Sequence, residues 1–347
     1  MTYSAETLDA QQRAILRAWG MPEPSVDACS RAMTYADLRA IDTHGIAMLP
    51  IYAGWLKESR LELTAVPRVE TEIGGLALID AGHGLGHPAA EMAMHMAIDK
   101  ARLHGISAVF VRGSNHFGAA GYYPSLAASE GMAGMAFSGT PGRTVVPPLA
   151  REPGFGAVPF AFAAPDLGGS GILLDIAMST VAMGKIVMAQ RAGQALPEGW
   201  AVNADGKPLT DANEAMRTRL LTPIGGHKGY GLGAMVESLA SVAPGAFIGG
   251  HDLLSGERGQ YLEIGHCLLA IDAGQVTTRD KFQSRSGSFA SMLRNLKPAD
   301  PAKPVMTPGD PERIAIKQRL RYGIPLHQKL IEDISEIAQI AGAKLYL

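Results

Sequence analysis

Helix-forming patterns stand at both ends of the chain, and a region rich in strand signals lies between them. Apolar residues recur at helical spacing over residues 5–19, and two more helical stretches close the chain at residues 311–322 and 326–341. Amphipathic helices must bury their apolar faces, so the simplest packing joins the two chain ends. The predicted domains are a discontinuous helical domain, residues 1–65 plus 296–347, and a central region, residues 66–295, with one or two subdomains.

The central region predicts both strands and helices. Strand signals alternate with helical patterns up to about residue 140, after which the regular strand–helix–strand order is lost. The G-x-G-x-x-G fingerprint of the Rossmann fold is absent, because GHGLGH and GYGLGA place their glycines at other spacings. The expected fold class is therefore α/β, of the mixed α+β kind and non-Rossmann.

Composition excludes several classes of function. The 347 residues carry a net charge of −2 without a basic stripe, which argues against nucleic-acid binding. Two distant cysteines provide neither a disulfide framework nor zinc-ligand spacing. The chain contains no apolar run long enough to span a membrane, and its first residues do not resemble a secretory signal. We expect a cytoplasmic protein without membrane partners.

Two histidines stand where side chains often meet ligands. His116 lies in RGSNHFGAAGYY, a small-residue turn directly after an apolar strand pattern. His44 lies in DTHG, at a junction between two helical patterns, with the Thr43 hydroxyl beside it. A hydroxyl group beside an imidazole, as in Thr43 and His44, can move a proton in general acid–base catalysis. Capping of the next helix by Asp42 or Thr43, with His44 merely packed, is an equally good interpretation, and core packing is also open for His116.

Other polar residues have competing interpretations. His227 and Lys228, between glycines at a helix start, favour contact with a phosphate or carboxylate, while a Schiff-base lysine is the rival chemistry. Asp175, expected at the tip of a buried LLDI strand, either binds a ribose hydroxyl or caps the following helix. His83 and His87 flank a glycine turn and not a helical turn, so a structural use is favoured over a metal pair, and no metal is predicted.

Taken in order, six motifs resemble one family. These are DTHG, SNHFGAAGYY, LLDIAMSTVAMGK, the ADGKP turn, PIGGHKGYGL and PGDPE. Together they are similar to the malate/L-lactate dehydrogenase family, which includes ureidoglycolate, sulfolactate and 2,3-diketogulonate oxidoreductases and Δ1-piperideine-2-carboxylate reductases. The resemblance covers about residues 5–341. It implies NAD or NADP bound on a mixed, mainly antiparallel sheet, a helical domain from both chain ends, and a homodimer.

The resemblance also assigns roles to residues. It implies that His44 is the general acid/base, with Thr43 where the family usually has Ser, and it leaves His116 as a second catalytic candidate. The implied cofactor-binding residues are His116, Phe117, Gly118, Ala119, Ala120, Asp175, Ile176, Ala177, His227, Lys228, Gly309 and Asp310. The implied substrate-side residues are Met48, Tyr52, Ala157, Met183 and Gly184.

The chain departs from the family pattern on the substrate side. Met48 stands where the family commonly has an Arg for the substrate carboxylate, and Ala157 and Met183 replace further polar residues. Loss of an Arg fork weakens carboxylate binding. We therefore expect a less polar substrate, or a carboxylate held by Arg112 or Arg143.

The predicted activity is hydride transfer between a nicotinamide cofactor and a 2-hydroxy acid/2-oxo acid pair. Reduction of a cyclic imine, with His44 protonating nitrogen, is the alternative within the family. A pyridoxal-phosphate enzyme using Lys228 and a ligand-binding protein without turnover are the alternatives from other classes.

Overall fold

A computed structural model describes residues 1–347. The helices are α1 (Ala5–Ala18), α2 (Glu23–Leu38), α3 (Leu49–Lys57), α4 (Gly86–His104), α5 (Tyr122–Ser129), α6 (Met183–Arg191), α7 (Ala212–Thr218), α8 (His227–Glu237), α9 (Arg279–Arg294), α10 (Asp310–Tyr322) and α11 (Gln328–Ala341). The strands are β1 (Thr2–Tyr3), β2 (Arg68–Ile73), β3 (Leu76–Asp80), β4 (Ile106–Ser114), β5 (Ala133–Ser138), β6 (Pro159–Ala163), β7 (Leu173–Ala177), β8 (Ala201–Val202), β9 (Pro208–Leu209), β10 (Ile264–Ile271) and β11 (Ile324–Pro325).

One seven-stranded sheet forms the centre of the molecule, in the order β2-β3-β4-β10-β5-β6-β7. Only β3 and β4 run parallel, and every other neighbouring pair is antiparallel. Strand β10 enters between β4 and β5, more than a hundred residues after both of them in the chain. The mixed, mainly antiparallel sheet expected from the resemblance is confirmed.

The two ends of the chain pack together. Strands β1 and β11 pair antiparallel, so Tyr3 lies opposite Ile324. Helices α1, α2, α3 and α11 share one apolar core, in which Leu16, Met33 and Ile334 are fully buried. Helical segments distant in sequence therefore form one layer, as the apolar periodicity predicts. The domain boundaries at residues 65 and 296 stay a prediction.

A second apolar core holds the sheet against two helices. Helices α4 and α5 cover β3, β4, β10 and β5, and alanines fill much of this interface. Small side chains let the helix backbones approach the strands closely. The loop between β4 and α5, which carries His116, is thereby held next to α2 and α3.

The expectations about the place of Asp175 are wrong. Asp175 does not lie at the tip of a buried strand; it is the middle residue of β7, the edge strand of the sheet. Asp175 does not cap the following helix either, because α6 begins only at Met183 and has no side-chain cap. Helix α8 begins at His227, and a π-helical turn, Ser238–Val242, continues it.

Candidate active site

His44, His116 and Tyr52 meet between the terminal helices and the sheet. His44 comes from the short turn between α2 and α3, Tyr52 from α3, and His116 from the loop after β4. The His44 and His116 rings are 5.3 Å apart, measured between centroids. The Tyr52 hydroxyl lies 2.8 Å from His116 Nδ1. Three residues that were assigned separately from the sequence thus share one site.

The contacts of His116 define its neutral tautomer. Its Nδ1 accepts a hydrogen bond of 3.3 Å from the Gly118 backbone N–H. An atom that accepts from an N–H carries no proton of its own, so Tyr52 donates to Nδ1 and the ring proton resides on Nε2. Burial, with smaller effects of neighbouring histidines, lowers the His116 pKa well below its ordinary value of 6.5. His116 is therefore a neutral imidazole that can donate a hydrogen bond from Nε2.

His44 is also held in its neutral form. Burial lowers its pKa below 6.5, because the charged imidazolium loses hydration. The Thr43 hydroxyl lies 2.8 Å from His44 Nδ1, which fixes the ring orientation and leaves Nε2 for another partner. Gly184, at the first turn of α6, faces the Thr43 methyl group. A neutral imidazole in this position can accept a proton from a hydroxyl group.

A third histidine, His87, packs against the same cluster. Its ring lies 6.3 Å from the His116 ring and 6.0 Å from the Tyr52 ring, measured between centroids. His87 is fully buried and neither ring nitrogen has a hydrogen-bond partner. Burial lowers its pKa to about 3, so it is uncharged. The sequence favoured a structural use for His87, but nothing in it indicated that α4 would bring this ring to the site.

A buried stack of rings supports the His116 loop. Phe117 lies parallel to His266, with centroids 4.5 Å apart, and on its other side faces Tyr123 at 4.8 Å. His266, from β10, is bonded at both ring nitrogens by the hydroxyls of Ser114 and Ser138. This support was missed from the sequence, because its members come from strands that pair only in the folded chain.

The predicted cofactor residues lie along strand β7 and beside its ends. Asp175 accepts a hydrogen bond of 2.7 Å from the Gly121 N–H, which ties β7 to the loop of His116. Burial of the carboxylate raises the Asp175 pKa to about 6, and the hydrogen bond from Gly121 opposes the rise. At the start of β7, the Leu173 N–H donates to the carbonyl of Pro308, next to Gly309. Gly309 and Leu173 line a cavity of about 510 Å³.

Asp310 has a structural use that the sequence did not reveal. Its carboxylate pairs with Arg294 at 2.9 Å and with Arg313 at 2.7 Å, and it accepts from the Thr307 backbone N–H. These donors hold its pKa below the ordinary range. Asp310 thereby anchors the start of α10 and fixes the backbone at Gly309, while a direct contact with the cofactor stays a prediction.

Helix α8 begins beside the far end of β7. The Ile224 N–H donates to the carbonyl of Met178, which follows β7, and this contact places His227 and Lys228 near that strand end. Both side chains are exposed, and Lys228 forms no salt bridge. A free cation at the N-terminus of a helix suits a phosphate. A Schiff-base lysine is usually desolvated, so this exposure gives no support to the pyridoxal-phosphate alternative.

The remaining predicted residues differ in their surroundings. Ile176 and Ala177 pair with β6, whose first residue, Pro159, follows Ala157 and Val158. The side chains of Phe117, Ala119 and Ala120 are buried in the sheet core, which leaves only their backbone for a ligand. Met183 and Gly184 form the first turn of α6, and Gly184 lies near Thr43.

Met48, a predicted substrate-side residue, is buried in an apolar core. Met48 is 6% exposed and packs with Leu49 and Tyr52 among the terminal helices. Arg112 is exposed, and its guanidinium pairs with Glu70 at 2.8 Å. Arg143 is exposed and donates to the Ile248 carbonyl. A substrate carboxylate held by Arg112 or Arg143 stays a prediction.

The sequence model of the malate/L-lactate dehydrogenase family matches residues 3–335. The chain belongs to the malate/L-lactate dehydrogenase family. It is similar to an L-sulfolactate dehydrogenase of Methanothermobacter thermautotrophicus, with 35% identity over 94% of this chain and 93% of that protein. It is also similar to a (2R)-3-sulfolactate dehydrogenase (NADP(+)) of Chromohalobacter salexigens, with 36% identity over 77% of this chain and 79% of that protein.

Solved structures of this family share the fold. Malate dehydrogenase from Entamoeba histolytica superposes with a TM-score of 0.93 at 28% identity, over 99% of both chains. Δ1-piperideine-2-carboxylate reductase from Pseudomonas syringae pv. tomato has a TM-score of 0.85 at 30% identity, over 97% of this chain and 100% of that one. This family member is therefore an oxidoreductase of the dehydrogenase class that acts on CH–OH groups.

The residues present fit the nicotinamide cofactor that this family uses. The Tyr35 hydroxyl is buried without a partner, close to Gly121 and Asp175, and can bond a ribose hydroxyl. Lys228 supplies an unpaired cation for a phosphate. No cluster of three or more His, Cys, Asp or Glu side chains is arranged to hold a metal ion. None of the helices has the length and apolar character needed to cross a membrane.

Proposed function

We propose that this family member is an NAD(P)-dependent dehydrogenase that interconverts a 2-hydroxy acid and its 2-oxo acid. The observation that carries the proposal is the pairing of His44 and His116, whose ring centroids are 5.3 Å apart and whose rings are each oriented by a neighbouring hydroxyl. Such a pair can bind the oxygen of an alcohol or carbonyl from two directions.

We assign different roles to the two histidines. His116 donates a hydrogen bond from Nε2 to the reacting oxygen, and its tautomer is kept by Gly118 and Tyr52. His44 accepts the hydroxyl proton in the direction of oxidation and returns it to the carbonyl oxygen in the direction of reduction. The cofactor, when bound, supplies or takes up the hydride. The chain's own contribution is orientation and the movement of one proton.

The residues proposed to hold NAD or NADP surround strand β7. Asp175 and the free Tyr35 hydroxyl suit ribose hydroxyls, and Lys228 suits the pyrophosphate. The cavity beside Gly309 and Leu173 provides room for a further part of the dinucleotide. The choice between the two cofactors is decided by assay, with NADH and NADPH tested side by side.

We propose a substrate that is less polar than lactate or malate at the end that the family's usual arginine would bind. Met48 offers no charge to a carboxylate. If this view holds, Met48→Arg raises turnover of lactate or malate strongly, with circular dichroism used to show that the buried guanidinium is tolerated. Efficient turnover of lactate or malate by the unaltered protein would contradict it.

Reduction of a cyclic imine is the second candidate function. The structural similarity to a Δ1-piperideine-2-carboxylate reductase favours it, and the same His44 would then protonate nitrogen instead of oxygen. Adding pyrroline-2-carboxylate and piperideine-2-carboxylate to a panel of 2-oxo acids separates the two candidates.

We also propose that the protein is a homodimer. Helix α8 exposes Leu232 and Met235 directly after the proposed phosphate ligand Lys228, and Val242 extends this apolar face. Apolar residues exposed on one helix face are typical of subunit contacts. Light scattering should give twice the mass of the 36.5 kDa chain, and Leu232→Glu together with Met235→Glu should yield monomers.

A further inference from the structure

Asp37 is a buried carboxylate directly behind the turn that carries His44. It lies near the end of α2 and is 2% exposed. Both of its oxygens lie 3.1 Å from the Ile46 N–H, which donates to them, and Oδ2 also accepts a bond of 2.7 Å from Gln12 Nε2. The backbone just after His44 is therefore bonded to a side chain of the preceding helix.

Gly45 makes this close approach possible. A Cβ at position 45 would overlap the Asp37 carboxylate, so the chain passes over that group with no room for a side chain. His44 and Ile46 flank this contact point. A shift of the Asp37 carboxylate would consequently move the backbone that carries the His44 ring.

Arg319 holds the beginning of the same turn. From helix α10, it donates to the carboxylate of Asp42 at 2.5 and 3.1 Å and to the main-chain oxygen of Asp37. The Arg319 side chain is 10% exposed. The turn is thus tied at both ends, at Asp42 by Arg319 and at Ile46 by Asp37.

We propose that Asp37 and Arg319 are positioning residues that hold the His44 imidazole in its place opposite His116. The significance for catalysis rests on the proposed function, in which His44 moves the proton. Neither group contacts the His44 ring in the hydrogen-bond network; both act through the backbone of residues 42–46. Helix α10, from the far end of the chain, thereby takes part in building the site.

The charges around Asp37 agree with this role. Burial raises its pKa to about 7, Asp42 adds to the rise, and Ile46, Gln12 and Arg319 oppose it. A carboxylate buried away from water destabilises the fold unless the groups that donate hydrogen bonds to it are retained. One of these donors, the Ile46 N–H, belongs to the turn that carries His44, so the stability of the carboxylate and the position of His44 depend on the same contact.

The test compares Asp37→Ala, Asp37→Asn and Arg319→Gln with the parent protein. Asn keeps an oxygen that accepts from Ile46, whereas Ala leaves that N–H without a partner. We expect Asp37→Ala and Arg319→Gln to lower kcat about 10- to 100-fold, the order of loss that misplacement of a reacting group causes. Asp37→Asn should recover most of kcat, and KM for the cofactor should change by less than about 2-fold.

A second readout needs no turnover. In protein labelled with ¹³C-histidine, the ring resonance of His44 should change its titration midpoint in Asp37→Ala and Arg319→Gln, while that of His266 should not. Glu91→Gln is the matched control, since Glu91 is a buried carboxylate on α4 that binds Arg31 and the Tyr122 hydroxyl. It should lose thermal stability without a change in the titration of His44.

Failure of this proposal and failure of the proposed function give different results. If Asp37→Ala and Arg319→Gln lose stability as Glu91→Gln does, but keep kcat and the His44 titration of the parent, the two residues support only the fold and the proposal is wrong. If no substrate is turned over by the parent protein, the proposed function fails. The resonance measurement then still decides whether Asp37 and Arg319 position His44.

Discussion

Single residues control the protonation of the site. Because burial lowers the His44 pKa below 6.5, His44 is ready to accept a proton at neutral pH. In the direction of oxidation, kcat/KM should rise with pH through a pKa below 6.5 and then stay level. In the direction of reduction it should fall over the same range, since His44 must then carry the proton.

His44→Ala should lower kcat about 10²- to 10⁴-fold in both directions, the usual contribution of a general acid–base group. It should also abolish the pH dependence just described. Rates measured between pH 5 and 8 with a saturating cofactor provide the check. If the pH profile is lost in His116→Ala and kept in His44→Ala, the two histidines have the opposite roles.

Arg39 leads to a prediction about the choice of cofactor. Its guanidinium stacks on the Tyr35 ring at 3.5 Å, lines the cavity beside Gly309 and forms no salt bridge. An unpaired guanidinium suits a phosphate. Arg39→Gln should therefore raise KM for NADPH about 10-fold and leave KM for NADH nearly unchanged. Equal effects on both cofactors would mean that Arg39 does not contact the 2′-phosphate.

At the scale of elements, β10 connects the site to the sheet. His266 joins the ends of β4 and β5 through hydrogen bonds with Ser114 and Ser138, and its ring stacks on the Phe117 ring. His266→Phe keeps a ring in the stack but leaves both hydroxyls without this partner. We expect the free energy of unfolding to fall by about 1–3 kcal/mol, measured by urea titration. An unchanged stability would show that other partners replace the histidine.

Elements with strong local signals could be predicted from the sequence. Helices α1 and α10 begin and end close to the predicted residues, because Gly and Pro punctuate their apolar patterns. Strand β6 was not predicted, since it is short and begins with a proline. Helix α9 was not predicted either: few of its residues are apolar and only Ala290 is buried, so it lacks a clear stripe.

The candidate site could be predicted only in part, because some of its residues come together only when distant segments pack. His44, Thr43, His116 and Tyr52 stand in motifs that a reader of the sequence can find. His87, His266, Asp37 and Arg319 reach the site through packing between distant segments, such as the insertion of β10 between β4 and β5. No local pattern encodes such contacts, so only the folded chain shows them.

At the scale of the whole molecule, buried acids link stability to pH. Glu237 is buried, one of its oxygens has no partner, and burial raises its pKa from 4.5 to about 7. Between these values the folded protein binds a proton that the unfolded chain releases, so this group lowers the free energy of unfolding as pH rises. Above pH 7 the loss is complete.

Glu237→Gln should remove this contribution. Relative to the parent protein, the variant should gain stability as pH increases from 5 to 7 and keep a constant difference above that range. Urea unfolding at pH 5, 6, 7 and 8 measures the difference. A difference that does not depend on pH would show that Glu237 is charged in the folded protein throughout.

The central claim is that this protein catalyses hydride transfer to or from a bound cofactor while His44 moves one proton. The terminal helices and the sheet together build the site in which this happens. The most direct test follows absorbance at the reduced nicotinamide band with purified protein, NADH and NADPH in parallel, and a panel of 2-oxo acids and cyclic imines. We predict oxidation of at least one cofactor with a 2-oxo acid, lost in His44→Ala. No oxidation with any panel member, together with no fluorescence change when either cofactor is added, would contradict the account.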